Sequence, residues 1–298
     1  MNYLKGQVLY RLGLNAHQSG ATHSYLGIEQ SVDYVNRVVD DYLHYAGVAA
    51  HDLAGLDVLE VGPGDNFGVA LALLAKGAKT VTCLDRFEPL RDDRRNTDIY
   101  RRLLESWSPE ERRRAADVVR FEGDRASFDP ERIVGRYGLS IEQAPQRIEQ
   151  TFDVILSRAV LEHVGDVPAA WDAMVRLLKP TGQMWHKVDF RNHGKFDQFH
   201  PLYFLTIGER RWRLLTSPDP TLNRERLPTY RRLAEQTFQT HRLFVTHILQ
   251  GDELVPHVER LEFGKQYGDA ELSAVAAVRP RLDARFRDVS DEDLLPGG

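Results

Sequence analysis

Apolar and polar positions change period several times along the chain, and each change marks an element. Val58, Leu59 and Val61 form a short run without helical spacing, the pattern of a strand buried in a parallel sheet. The run stops at Gly62-Pro63-Gly64, and Val69 to Lys76 then has helical composition and spacing. Thr80 to Leu84 is a second apolar run, and it ends in Asp85. Upstream, Val35, Val38, Val39, Tyr42 and Leu43 line one side of a helix within Ser31 to Tyr45, so residues 1–50 read as an N-terminal helical cap. Downstream, Val118 to Phe121, Thr151 to Arg158, Gln183 to Phe190, His241 to Leu249 and Ala270 to Val278 read as strands, and Tyr230 to Thr237 as a helix.

The stretches between these elements are charged or rich in loop residues, and they read as insertions in one domain spanning 51–298. Near 86–116, Ile99, Tyr100, Leu103, Leu104 and Trp107 give a charged helix one apolar side, and a second helix starts at Ser108 with Pro109 in its first turn. Near 126–150 the chain reads as a charged helical insertion. Near 194–229 it turns aromatic and basic, broken by Pro201, Pro218, Pro220 and Pro228. The last twelve residues, R-D-V-S-D-E-D-L-L-P-G-G, are expected to fray. Strands alternating with helices make the fold class α/β, a doubly wound, mostly parallel sheet.

Composition narrows the function classes. With 298 residues, 42% of them apolar, the chain has ample material for a packed core. A net charge of −5 argues against a general nucleic-acid binder, which needs a surplus of Lys and Arg on its binding face. The single cysteine, Cys83, excludes an internal disulfide framework and a cysteine-based metal site, and points to a reducing compartment, the cytoplasm. No apolar run approaches the ~20 residues of a membrane span.

The strand–turn–helix–strand unit from Leu56 to Asp85 is where chemistry is expected. Glycines in the turn let backbone N–H groups approach a ligand, and Asp85 falls roughly 20 residues on, where nucleotide-binding units carry a ribose-binding acid. A dinucleotide fingerprint is incomplete, because its third glycine position holds Phe67, with Gly68 one place late. Glu60, at the strand end, would repel a pyrophosphate and suits a cationic amino-acid or sulfonium head.

E-x-G-x-G from Glu60 to Gly64 resembles motif I of the class I S-adenosylmethionine-dependent methyltransferases. F-D-V-I-L-S, then L-E-H-V, then L-L-K-P-x-G follow in the order typical of the small-molecule (UbiE/UbiG-like) type. The resemblance implies a Rossmann-like sheet of seven strands, one antiparallel, and S-adenosylmethionine as cofactor. It implies that Glu60, Gly62, Gly64 and the Asn66–Phe67 backbone line the methionine part, and that Asp85, with Arg86 beside it, holds the ribose. Asp124 and Arg125 would meet the adenine, Ser157 and Arg158 would sit beside the cofactor, and Leu161, Glu162 and His163 would begin the helix next to the methyl group. The leading segment would fold over cofactor or substrate, making His17, His23 and Tyr34 candidate contacts. H-x-V-D-x-R-x-H, from His186 to His193, with D-Q-F-H-P-L-Y-F-L and Y-R-R-L after it, resembles a bacterial subgroup associated with glycan and secondary-metabolite pathways.

Methyl transfer to a hydroxyl needs the reacting atoms held in line and a proton removed. His163, His186 and His193 are the candidate bases, and Asp189 is a candidate to orient one of them or to bind an acceptor hydroxyl. A metal shared by His186, Asp189 and His193 is weighed and not assigned, because strand alternation sends the first two to opposite faces. The resemblance implies an acceptor hydroxyl on a sugar or secondary metabolite, a small-molecule partner without nucleic acid. A cofactor-binding protein without catalysis and a small-molecule N-methyltransferase remain open.

Overall fold

The computed structural model describes residues 22–192, 199–216, 223–249 and 252–298. Among these, the chain divides into two compact units. One holds the residues up to Arg158 together with Asp172–His186, and the other holds Ala159–Trp171 and the chain from Lys187 onward.

The first unit is built on a five-stranded sheet, β1 (Asp57–Val61), β2 (Thr80–Asp85), β5 (Ile133–Tyr137), β6 (Phe152–Arg158) and β7 (Leu178–Lys187), in the order β5-β2-β1-β6-β7. β1 runs parallel to both β2 and β6, and β2 runs parallel to β5. All five residues of β1 are buried, as a central parallel strand requires.

Helices cover this sheet. α1 (Thr22–Tyr25) is a single turn, and α2 (Ile28–Ala46) carries the stripe Val32, Val35, Val38, Val39 and Tyr42 inward, ending at Gly47 in the left-handed region. α3 (Gly68–Ala75) is buried along its whole length. α4 (Asp93–Ser106) is capped by Asp92, whose carboxylate accepts from the Arg95 N–H at 3.0 Å. α5 (Pro109–Ala116) starts at Ser108 as expected, and Ser108 and Glu111 cap each other reciprocally there. Ile99, Tyr100 and Leu103 join the same core as α2 and α3, so residues 93–116 are a packed layer rather than a surface insertion.

Three sequence expectations for the sheet change. The strand at Val118–Phe121 appears as β3 (Val119–Glu122) and pairs with β4 (Arg125–Phe128) in a separate antiparallel hairpin. The edge place beside β2 goes to β5, inside the stretch read as a charged helical insertion. A short edge strand needs little apolar sequence, and only Ile133 of β5 is buried. The seven-stranded sheet is the third correction: among the described residues the central sheet has five strands.

The second unit contains the two segments expected to complete that sheet. β8 (Val245–Ile248) pairs with β9 (Asp252–Val258) in its own antiparallel sheet. Ala270–Val278 lies in a helix (Asp269–Val278), whose Val275 and Val278 are buried and whose first turn is capped by Gly268 N–H donating to Glu271 at 2.9 Å. Leu272, Val275 and Val278 recur at helical spacing in an alanine-rich run, and that period wins over β-branching. The remaining helices are α6 (Val167–Leu177), whose chain passes from one unit to the other, and Glu209–Thr216, Leu227–Thr237 and Asp291–Leu294.

The tail expected to fray is instead docked. Leu294 and Leu295 are fully buried, Leu249 N–H donates to the Leu295 carbonyl at 2.7 Å, and Phe190 N–H donates to that of Gly297 at 3.0 Å. Two consecutive leucines gain more from burial than the acidic turn before them loses. Among the described residues, no helix is long and apolar enough to cross a membrane.

Candidate functional site

In the first unit the turn after β1 is shaped by Gly62 and Gly64, at φ 74° and 71°, conformations that a Cβ disfavours. Gly62 N–H donates to the Leu84 carbonyl at 2.8 Å, tying the turn to the end of β2. The residues after it are held by the scaffold. The buried Asp65 carboxylate accepts from the His23 and Ser24 N–H groups and, at 2.8 Å, from the Ser24 hydroxyl. Asn66 accepts from Gly68 N–H and donates to Asn96 at 2.7 Å, while Phe67 N–H donates to the Tyr100 hydroxyl at 2.9 Å. Both the Asn66 side chain and the Phe67 N–H are thus engaged within the protein; Asn66 is buried and Phe67 half-buried.

Gly68 is the glycine that sat one place late in the sequence motif. A Cβ there would lie 2.6 Å from Val35 Cγ2 and 2.7 Å from Asn66 Oδ1, so α2 approaches the start of α3 only because no side chain intervenes. His17 falls outside the described residues; His23 and Tyr34 are in edge contact, ring centroids 5.5 Å apart.

Two acids end the first two strands. Glu60 is buried and accepts a weak 3.6 Å bond from the Cys83 thiol. Burial pushes it up to about 8, so the isolated carboxyl is protonated at neutral pH, and a nearby cation would be needed to ionise it. Asp85 accepts from Phe87 N–H at 2.9 Å; burial raises it to about 6, against the opposing effects of that N–H and of Arg91. Arg86 is exposed, its guanidinium 5.3 Å from the Phe87 ring.

Asp124 and Arg125 are not brought to this place. They sit exposed on the β3–β4 hairpin, where Asp124 pairs with Arg94 and Arg125 with Asp93, each at 3.6 Å. The chain leaving β5 takes their position in the sheet: Leu139 N–H donates to the Asp85 carbonyl at 3.2 Å. Its sequence signal was Gly138, a turn residue directly after the I-V-G-R-Y run.

Ser157 and Arg158 end β6. Ser157 Oγ lies 2.8 Å from His186 Nδ1, and Arg158 forms a 2.6 Å ion pair with Asp41 of α2. Burial pushes the His186 imidazole down to about 4. It is therefore neutral at pH 7, able to orient a hydrogen bond but a weak store for a proton.

The second unit carries a different polar cluster. Ala159 opens it at φ 54°, a strained value for a residue with a Cβ, and its N–H donates to the Lys187 carbonyl at 2.9 Å. In the 3-10 turn Leu161–His163, Glu162 is buried and His163 is exposed. Asn223 pins this turn, its N–H donating to the Glu162 carbonyl and its amide to the Leu161 and Val164 carbonyls. Burial pushes Glu162 up to about 8; N–H groups of Glu162 and Asp189 oppose this, and the Asp189 charge adds to it. Asp189 lies beyond the end of β7 and holds Arg191 through its N–H and guanidinium, at 2.9 and 2.8 Å. Sequence reasoning gave Glu162 no proton-transfer role; the burial that tunes it is a tertiary property.

His193 falls outside the described residues, and among those described no group of three His, Cys, Asp or Glu side chains is placed to hold a metal.

Residues 32–243 match the family model described as a methyltransferase domain. No curated protein matches the chain in sequence. Among solved structures, it is similar to the magnesium protoporphyrin IX methyltransferase of Synechocystis, at 16% identity over 50% of this chain and 52% of that one, with a TM-score of 0.28. It is also similar to a phosphoethanolamine N-methyltransferase of Haemonchus contortus, at 14% identity over 77% and 45%, TM-score 0.44. A third is the N-methyltransferase NodS of Bradyrhizobium japonicum, at 17% over 60% and 72%, TM-score 0.33. The chain thus spans about half the length of the first two.

Proposed function

Since the chain belongs to the methyltransferase-domain family, we propose that it uses S-adenosylmethionine to transfer a methyl group to a hydroxyl of a sugar or secondary metabolite. The observation that carries this choice of acceptor is the Ser157–His186 pair, a hydroxyl and a neutral imidazole 2.8 Å apart at the ends of β6 and β7. Open α/β sheets bind ligands outside the carboxyl ends of their strands, which is where this pair lies. A neutral imidazole orients an uncharged hydroxyl without repelling the sulfonium as an imidazolium would.

On this proposal, Gly62 and Gly64 admit the methionine part, Glu60 faces its cationic end, and Asp85 receives the ribose hydroxyls. When bound, the cofactor supplies an electrophilic methyl on a sulfonium. The acceptor oxygen attacks that carbon in line, the carbon–sulfur bond breaks, the sulfur leaves as a neutral thioether, and the hydroxyl proton passes to a base. The candidates for handling that proton are those the sequence motif names, His163, His186, His193 and Asp189, with His186 proposed to orient rather than store it. A cytoplasmic location and a small-molecule acceptor belong to the same proposal.

The test is incubation of the purified protein with methyl-labelled S-adenosylmethionine and a panel of sugars, phenols and small amines. Label on an oxygen of a hydroxylated acceptor, lost in His186→Ala, supports the proposal. Label only on nitrogen, or cofactor binding with no acceptor methylated, overturns it.

A further inference from the structure

Arg91 lies in the loop between β2 and α4, and its position is unusually constrained for an arginine on a loop. Its guanidinium carbon is 4.2 Å from the Phe67 ring centroid and 4.7 Å from that of Tyr137, and a terminal nitrogen donates to the Tyr137 hydroxyl at 2.5 Å. The two rings are tilted by 45° with centroids 6.5 Å apart, so they form the walls of a corner rather than a stack. Phe128 extends the first wall, 5.4 Å from Phe67. Ring faces attract a cation through their quadrupoles while leaving its charge uncompensated by any carboxylate. Among the described residues, the buried Nε–H of Arg91 has no hydrogen-bond acceptor.

The corner's origin gives it meaning. Phe67 immediately precedes α3, just past the glycine turn, and Tyr137 ends β5 as the register partner of Asp85. Arg91 is therefore fixed by both elements that flank the end of β2. We propose that Arg91 is a positioning residue of the nucleoside end, braced in this aromatic corner beside the strand end that carries Asp85, so that its charge acts on the carboxylate that receives the ribose. The proposal rests on the ribose role of Asp85 given above.

The groups facing Asp85 can be named. Tyr137 lies across the β2–β5 register, Glu60 is one strand further through its neighbour Cys83, and Arg86 and Glu88 follow in the loop. Glu60 is uncharged at neutral pH. Of the charged side chains, Arg91 is the one that opposes the rise burial imposes on Asp85. An ionised carboxylate is the better acceptor for two ribose hydroxyls, so nucleoside affinity should track Asp85 ionisation.

The experiment is calorimetric titration with S-adenosylhomocysteine from pH 5 to 8.5, on the wild type, Arg91→Gln, Arg91→Lys and Asp85→Ala. Wild-type affinity should fall below pH ~6. In Arg91→Gln the midpoint should rise by about one pH unit, giving roughly tenfold weaker binding at pH 5 and near-equal binding above pH 8. Arg91→Lys, which keeps the charge, should keep the midpoint near that of the wild type. Matching midpoints in wild type and Arg91→Gln, with Asp85→Ala weakened, overturn the role of Arg91 alone. Unchanged binding in Asp85→Ala overturns the ribose assignment beneath it. If Arg91→Gln does not fold, Tyr137→Phe releases the guanidinium and carries the test: its midpoint should also rise, and an unmoved one overturns the proposal.

Discussion

Ser157 Oγ and His186 Nδ1 lie 2.8 Å apart, joining the penultimate residue of β6 to the penultimate residue of β7. Twenty-nine positions separate them in the chain. Because the imidazole is held near 4 by burial, the pair is a neutral hydrogen bond at neutral pH.

That depression fixes a pH dependence of stability. The folded value lies below the ordinary 6.5, so the unfolded chain binds the proton more readily. The stabilisation is full above pH 6.5 and is lost as pH falls towards 4, by at most about 3 kcal/mol. Urea unfolding of wild type and His186→Asn at pH 7.5 and 4.5 checks this. The wild type should lose more stability than the variant on acidification. His186→Ala should also spare cofactor affinity at pH 7.5 while lowering kcat.

Glu162 has the opposite sign. Its folded value, about 8, is above the ordinary 4.5, so folding favours the protonated form and stability falls as pH rises from 4.5 to 8. Glu162→Gln keeps the shape and removes the charge. It should match the wild type at pH 4.5 and exceed its unfolding free energy at pH 8 by roughly 2–4 kcal/mol. Equal pH profiles for the two proteins would show that Glu162 ionises freely in the fold.

Asp85→Ala should weaken S-adenosylmethionine binding about 10- to 100-fold at pH 7.5, the value of one or two hydrogen bonds to a charged acceptor. Calorimetry measures it, with unfolding midpoints of the variant checked alongside. Equal affinity in the variant removes the ribose assignment.

Gly68→Ala puts a methyl 2.6 Å from Val35 and 2.7 Å from Asn66 Oδ1. The helix face and the buried amide network must shift together, so the change should cost about 1–3 kcal/mol in denaturant unfolding. Gly138→Ala is the control: no atom lies within 4 Å of its added Cβ, and the cost there comes from φ 69° alone, about 1 kcal/mol.

What local pattern carries was legible. β1, the glycine turn, β2 and Asp85 follow from a strand period broken by Gly-Pro-Gly, and the helix at Pro109 follows from Ser108 and the proline in its first turn. β5 was not legible, because three of its five residues are polar or glycine and its place depends on pairing with β2 fifty residues away. Asp124 and Arg125 were misplaced for the same reason: a strand pattern gives a strand but not its partner, and β3 found β4.

The sequence by itself determined the family, the α/β class and the acids that end the first two strands, since these reside in runs of adjacent residues whose period and chemistry need no partner. Tertiary structure alone decided that Glu60 and Glu162 are raised to about 8, that His186 is lowered to about 4, and that Arg91 stands in a corner of Phe67 and Tyr137. Desolvation and ring contacts are made by residues far apart in the chain. They come into being only when the sheet brings its strand ends together.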